Sequence, residues 1–245
     1  MVVLYGWHPV AEALANPRRR VLRLLATENG AARLREEAAL PAAAPEIVRA
    51  EVISRLLEPD AVHQGLYAEA EPLPAPGWDD LPADSLVLAL DQVTDPHNVG
   101  AIVRTAAAFG VAALLTTVRH SPAATGVLAK AASGGLEHVP VVAVRNLAEA
   151  LIDLGRRGFV RIGLDSAGDT DISASPRSRP AVLVLGAEGR GLRTRTRECC
   201  DVVARLEMPG RIKSLNVSNA AAVALFALRT AATDPPSLPK PVEKT

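Results

Sequence analysis

The chain has 245 residues, about half of them apolar, with 27 basic and 27 acidic side chains. That length suits one large domain or two modest ones around a sizeable core, and the balanced charge excludes a globally basic surface, so any nucleic-acid contact has to come from local patches. No apolar run approaches the ~20 residues of a bilayer span, "MVVLYGWHPV" lacks a charged leader, and the only cysteines, Cys199 and Cys200, are adjacent and match no metal-ligand spacing; a soluble, cytoplasmic chain without membrane contact or metal is the expectation.

The N-terminal part alternates between strand and helix patterns. "VLRLLAT" (21–27) and "GLYAEA" (65–70) read as strands, with helical stretches around 9–15, 30–39 and 50–57, so residues 1–72 form a small α/β unit. "EPLPAPGWDDLPADS" (71–85) is rich in proline and acid and has no usable periodicity. Each proline removes a donor and fixes φ, so 73–85 reads as a linker between domains.

A larger body runs over 86–232. "SLVLALD" (85–91), "VAALLTT" (111–117), "VPVVAV" (139–144), "FVRIGLD" (159–165) and "AVLVLG" (181–186) are short and nearly all apolar, as strands buried on both faces should be. Helices lie between them. The first starts near Asn98, a good cap, carries Val99, Ile102, Val103, Ala106 and Phe109 to one side, and stops at Gly110. A second follows Ser121-Pro122 and ends near Gly134 and Gly135, and a third spans Asn146 to Gly158. This rhythm predicts an α/β fold with a mostly parallel sheet covered by helices on both faces. "TDPPSLPKPVEKT" (233–245) reads as an extended, disordered tail.

In such sheets ligands sit beyond the carboxyl ends of the strands. Three stretches there carry polar groups in excess of structural need. In "DQVTDPHNVGAIVRT", Asn98 and Arg104 are six apart and off a single helical face, yet both can reach a ligand over the helix start; a cap plus a solvated arginine is the plain alternative. In "GAEGRGL", Gly186, Gly189 and Gly191 allow close backbone approach, and Glu188 sits among them with few apolar neighbours. The spacing is neither a dinucleotide fingerprint nor a P-loop. In "RIKSLNVSNAAAVALFALRT" (211–230), Ser214, Asn216, Ser218 and Asn219 crowd the entrance of an apolar helix. One cap accounts for one of them, and the surplus suits a ligand bearing oxygens at the positive helix end. There is no H-E-x-x-H and no G-x-S-x-G, and His8, His63, His97, His120 and His138 are scattered, which leaves zinc and hydrolase chemistry unsupported.

Taken together, "DPHNVGAIVRTAAAFG" (95–110), "LVLGAEGRGL" (183–192) and "LEMPGRIKSLNVSNAAAVALF" (206–226) resemble, in order and spacing, the three motifs of the SpoU/TrmH methyltransferases. "LYGWHPVAEAL" (4–14) and "HQGLYAEAEPL" (63–73) resemble that family's accessory RNA substrate-binding domain. The resemblance implies transfer of a methyl group from S-adenosylmethionine to a ribose 2′-hydroxyl of RNA. It favours the ribosomal-RNA guanosine subgroup, with a transfer-RNA enzyme or a non-catalytic RNA-binding scaffold of the same fold as alternatives. It also implies a C-terminal trefoil knot of the SPOUT type and a homodimer.

By position, Asn98, Arg104, Glu188, Ser214 and Asn216 match the family's active-site polar residues, and Gly186, Leu206, Met208 and Leu215 its cofactor contacts. One departure is plain: Leu206-Glu207-Met208 stands where Ile-Pro-Met is usual, with the proline delayed to Pro209. The resemblance casts Arg104 as the base, but a guanidinium is hardly deprotonated in proteins; the expectation is that Arg104 binds an RNA phosphate and is itself fixed by Glu188 and Asn98. Arg18, Arg19, Arg20 and Arg23, together with Arg190, Arg193, Arg195, Arg197, Arg211 and Lys213, are the candidate RNA contacts, and each is otherwise a solvated face residue.

Overall fold

A computed structural model describes residues 1–37, 44–77, 80–119, 126–176 and 180–230. The start of the helix expected after Ser121-Pro122 and the expected tail lie outside them. Two sheets organise the chain. The first, in order β1-β4-β2-β3, comprises Val2–Tyr5 (β1), Val21–Ala26 (β2), Glu46–Ile47 (β3) and Leu66–Ala70 (β4). Helices Trp7–Ala15 (α1), Glu28–Glu37 (α2) and Ala50–Ser54 (α3) alternate with these strands. β1 and β3 were not foreseen from the sequence; β1 is a four-residue run directly before a helix, and β3 is two residues long.

The second sheet has seven strands in the order β7-β6-β5-β10-β8-β11-β9, and every pairing in it is parallel. Its strands are Leu86–Asp91 (β5), Ala113–Thr117 (β6), Val141–Val144 (β7), Val160–Leu164 (β8), Thr170–Asp171 (β9), Ala181–Gly186 (β10) and Val202–Arg205 (β11). Helices Pro96–Ala108 (α4), Gly126–Ala132 (α5), Leu147–Arg156 (α6), Thr194–Glu198 (α7) and Val217–Thr230 (α8) join or follow them.

Period-two geometry divides the central strands between two cores. Leu86, Leu88 and Leu90 of β5, with Ala181, Leu183 and Leu185 of β10, meet Ile102 and Val103 of α4, Leu128 of α5, and Ala221, Ala224 and Leu225 of α8. The alternate residues, Val87, Ala89, Val182 and Val184, meet Leu147, Leu151 and Leu154 of α6 on the opposite face. Helices therefore cover both faces, as the apolar runs predicted. β7 is the exception to two-sided burial. It is an edge strand with alternating half-buried and exposed residues, because only β6 pairs with it.

The start of α4 also differs from expectation. Asp95, not Asn98, caps it, its carboxylate accepting from His97 N at 3.0 Å, and Pro96 takes the first helical position. Asn98 is thereby left in the first turn with its amide free for other work. Gly110 follows the helix at φ 61°, a left-handed position suited to glycine. Asn146 caps α6 as predicted. The chain builds one side of the large sheet as β5, β6, β7, crosses to the other side for β8 and β9, and last inserts β10 between β5 and β8 and β11 between β8 and β9. The change of direction lies between β5 and β10, and strand ends beside such a point are where ligands of parallel sheets sit.

Candidate active site

A cleft of ≈ 550 Å³ opens beyond the carboxyl ends of β10, β8 and β11. Its floor comes from the ends of three neighbouring strands: Leu185 and Gly186 at the end of β10, Leu164 and Asp165 at that of β8, and Arg205 and Leu206 at that of β11. Its walls are the loop Ala187 to Gly191 and the segment 213–217 that leads into α8. The volume falls within the range of pockets that enclose a nucleoside-sized ligand.

The loop after β10 folds back on itself. Gly191 N donates to Ala187 O at 2.9 Å, and Gly189 and Gly191 take φ of 74° and 64°, which only glycine adopts without strain. Asp165 ties the return: its carboxylate accepts from Leu192 N at 3.2 Å and from Ala167 N at 2.9 Å. Asp165 was missed as a site residue, although it ends the apolar run "FVRIGLD" at the carboxyl end of a strand, where the strand-end rule points.

Glu188, on the tip of this loop, reaches across to α8. Its Oε1 accepts from Asn216 Nδ2 at 2.8 Å, Val217 N at 3.2 Å and Asn98 Nδ2 at 3.4 Å. Asn216 Nδ2 also donates to Asn98 Oδ1 at 2.9 Å. A carboxylate on the first amide of a helix is favoured by the helix dipole. Asn216 Oδ1 accepts from Ser218 N at 2.9 Å and Ser218 Oγ at 2.6 Å, so Asn216 caps α8 while its amide group serves the network. The polar crowd before α8 is thus divided: one cap doubles as a bridge, and Ser214 stays exposed at the cleft wall. Three stretches far apart in sequence meet at the cleft mouth.

Comparisons with known proteins decide what this convergence belongs to. The family model described as "SpoU rRNA Methylase family" matches residues 85–226, and that described as "RNA 2'-O ribose methyltransferase substrate binding" matches residues 3–76. The chain belongs to the SpoU rRNA methylase family. A relative from Pseudomonas putida, named 23S rRNA (guanosine-2'-O-)-methyltransferase RlmB, is 39% identical over 236 residues, covering 91% of this chain and 94% of that one. Among solved structures, the SpoU methyltransferase AviRb from Streptomyces viridochromogenes, in complex with AdoMet, superposes with a TM-score of 0.77 at 26% identity, covering 92% of this chain and 88% of that one. An AdoMet-bound rRNA methyltransferase from Sinorhizobium meliloti gives 0.74 at 25% identity, covering 95% and 88%.

The cleft fits the S-adenosylmethionine of this SpoU family. Gly186 faces the loop so closely that a Cβ there would lie 2.2 Å from Gly191 C, which keeps the strand end bare beside the cleft. Leu206, Met208 and Leu215 line the same cleft with apolar surface. The departure at Glu207 is accommodated: Glu207 lines the cleft rim and pairs with Arg205 at 3.1 Å.

Arg104 corrects the expectation that Glu188 and Asn98 fix it. It lies exposed on α4, one and two-thirds turns beyond Asn98 and so on another face, and its side chain has no hydrogen bond or ion pair to another described residue. Glu188 and Asn98 are committed to Asn216 and α8 instead. Arg19 corrects the RNA patch: its side chain is 3% exposed and ion-paired to Glu137, so no phosphate reaches it. Arg18 remains exposed, whereas Arg20 and Arg23 are exposed but paired with Glu71 and Glu46. Arg190 and Arg211 are exposed near the cleft; Lys213 donates to Met208 O at 2.6 Å and closes the loop between them. Arg193 is bound to the buried Asp91 at 2.7 Å and Arg197 to Asp165 at 3.5 Å, which gives both structural employment.

Proposed function

We propose that the protein transfers a methyl group from S-adenosylmethionine to a ribose 2′-hydroxyl of RNA, the substrate being a guanosine of 23S ribosomal RNA. The convergence of Asn98, Glu188 and Asn216 at the mouth of the cleft beyond β10 carries this reading. The match over 3–76 and the name of the Pseudomonas putida relative support ribosomal RNA as the substrate class. In this reading residues 1–72 form the RNA substrate-binding domain, 73–85 the linker, and 86–232 a methyltransferase domain with a trefoil knot, one of the rare exceptions to unknotted topology. The reaction takes place in the cytoplasm.

The cofactor supplies a methyl group on a positively charged sulfonium, which leaves as a neutral thioether when an alcohol attacks in line. No anion develops at the leaving group, so the protein's task is alignment. Gly186, Leu206, Met208 and Leu215 hold the cofactor; Glu188, Asn98 and Asn216 brace the loop and α8 on either side of the mouth; Ser214 offers a free hydroxyl to the ribose. Arg104 presents a planar fork to an RNA phosphate and orients the 2′-hydroxyl. It is not the base, because a guanidinium does not give up its proton in proteins; a phosphate oxygen or water takes the proton that the 2′-hydroxyl loses. The protein acts as a homodimer through the outer face of α8, where Val223 and Phe226 are 46% and 56% exposed.

The test is incubation with labelled S-adenosylmethionine and unmodified large-subunit ribosomal RNA or transfer RNA, followed by mapping of the modified nucleotide. A 2′-O-methyl guanosine in the ribosomal RNA is the expected product. Label on a base, or on transfer RNA alone, overturns the assignment. Full turnover by Arg104→Lys with unchanged RNA affinity would overturn the bidentate role.

A further inference from the structure

The small sheet and the large one meet along residues 126–138, which run from α5 into a 3₁₀ turn at Gly135–Glu137. Ala129 of α5 belongs to the core of the small sheet, Leu128 and Ala132 of the same helix to that of the large one, and Leu136 touches both. A buried ion pair lies at this junction. Arg19 Nη2 is 2.7 Å from Glu137 Oε1, with 3% and 2% of the two side chains exposed. Arg19 Nε donates to both carboxylate oxygens at 3.1 and 3.0 Å, Nη1 donates to Glu71 O at 2.6 Å, and Asn16 Nδ2 donates to Glu137 Oε2 at 2.8 Å. Two more polar links flank it: His138 Nε2 to Glu12 Oε2 at 3.0 Å, and Lys130 Nζ to Gln64 Oε1 at 2.9 Å.

A buried ion pair is a poor source of stability, because both charges forfeit water. What a forked guanidinium on a carboxylate does supply is a single geometry. The turn that carries Glu137 in turn presses on the helix that carries the site. A Cβ on Gly135 would lie 3.1 Å from Val103 O and 3.2 Å from Arg104 Cα, and one on Gly100 of α4 would lie 2.5 Å from Ala131 Cβ and 2.6 Å from Leu128 O of α5. Close packing of this kind transmits a displacement instead of absorbing it.

We propose that Arg19, Glu137 and Asn16 are positioning residues that lock the small sheet onto α5 and α4, so that RNA held by the small sheet meets Arg104 and the cleft in one fixed orientation. This rests on the methyl-transfer function proposed above. The proline-rich stretch after β4 is then a connector and not a hinge. Placement of the substrate, more than its affinity, depends on the pair.

Spin labels on the exposed positions Val62 and Val118, with Cys199 and Cys200 replaced by alanine, report the distance between the two sheets in the full chain without RNA. A single narrow distance distribution is expected, broadened by Glu137→Gln. In the methylation assay at saturating RNA and cofactor, Glu137→Gln lowers kcat about ten-fold or more while the KM for RNA stays within about three-fold, since an ångström of misplacement costs up to ~100-fold in rate. Should Glu137→Gln fail to fold, the double variant Arg19→Met/Glu137→Leu fills the space without charge and is expected to give the same two readings. A narrow distribution with unchanged kcat in either folded variant overturns the proposal, as does a broad distribution in the unsubstituted pair. If the unsubstituted protein methylates no RNA, the enzymatic reading fails, and the distance measurement alone decides the lock.

Discussion

Replacing Gly186 by alanine puts a methyl group where the loop after β10 has no room. The added carbon falls 2.2 Å from Gly191 C, 2.3 Å from Gly191 O and 2.6 Å from Leu192 N. Ordinary contact begins at 3.4 Å, so the loop must retreat by about 1.2 Å, and the obstacle is backbone that cannot rotate aside. Two hydrogen bonds oppose the retreat, Gly191 N to Ala187 O at 2.9 Å and Leu192 N to Asp165 Oδ2 at 3.2 Å. Overpacking of this type costs ~1–3 kcal/mol, which for a chain of this size lowers Tm by about 2–12 °C. The retreat also moves the cleft wall. If the displaced wall costs the cofactor one or two hydrogen bonds at about 1 kcal/mol each, S-adenosylmethionine binds about 5- to 30-fold more weakly. Differential scanning calorimetry gives the first number and isothermal titration of S-adenosylmethionine the second. Undiminished affinity in a folded Gly186→Ala variant would refute the placement of the cofactor against this strand end, whatever happens to Tm.

Asn216→Ala removes the cap of α8 together with its bond to Glu188, so thermal unfolding should show a loss of ~1 kcal/mol and methyl transfer should fall further; Asn216→Ser restores stability but not turnover. The hydrogen bond from Arg161 holds the Asp201 carboxyl below its ordinary value. A carboxyl lowered on folding adds stability above its unfolded value near ~3.9 and loses it as pH falls through the folded one. Asp201→Asn is therefore expected to lower Tm at neutral pH, with the gap closing on acidification; a gap that persists at low pH refutes the pairing. Burial, and next the neighbouring Cys199, push the Cys200 thiol up to about 12. The native chain should resist iodoacetamide at pH ~8, where an ordinary thiol near ~8.5 reacts, and mass spectrometry should find Cys200 alkylated only after denaturation.

The apolar runs were legible as strands because β5 and β10 are buried on both faces, and that condition leaves an unbroken hydrophobic signature. β9, at one edge, and its neighbour β11 were not. β9 is two residues long, and β11, "VVAR", is too short for any periodicity. At the site, Asn98, Glu188 and Asn216 were recognisable as surplus polar groups, yet their partners were misassigned: Arg104 is the nearest charged residue to Asn98 along α4, whereas the contact that forms runs to α8. Sequence distance along a helix misled because the meeting of loops is a tertiary event. Arg19 misled for the opposite reason. Within "RRR" at 18–20 it looks like one of three equivalent surface cations, and only the docking of the small sheet singles it out for Glu137.

The parallel pairing of β5 with β10 imposes a timetable on synthesis. Leu86 finds Ala181 as its neighbour, so the apolar flank of the first large-sheet strand stays unmatched while β6, β7, β8 and β9 are being translated. At ~5–20 residues per second that interval lasts on the order of 5–20 s. During it the nascent polypeptide has β6 on one side of β5 and nothing yet on the other. The methyl-donor cleft cannot exist before α8 clears the exit tunnel, and a ribosome stalled short of that point would hold an open, aggregation-prone sheet.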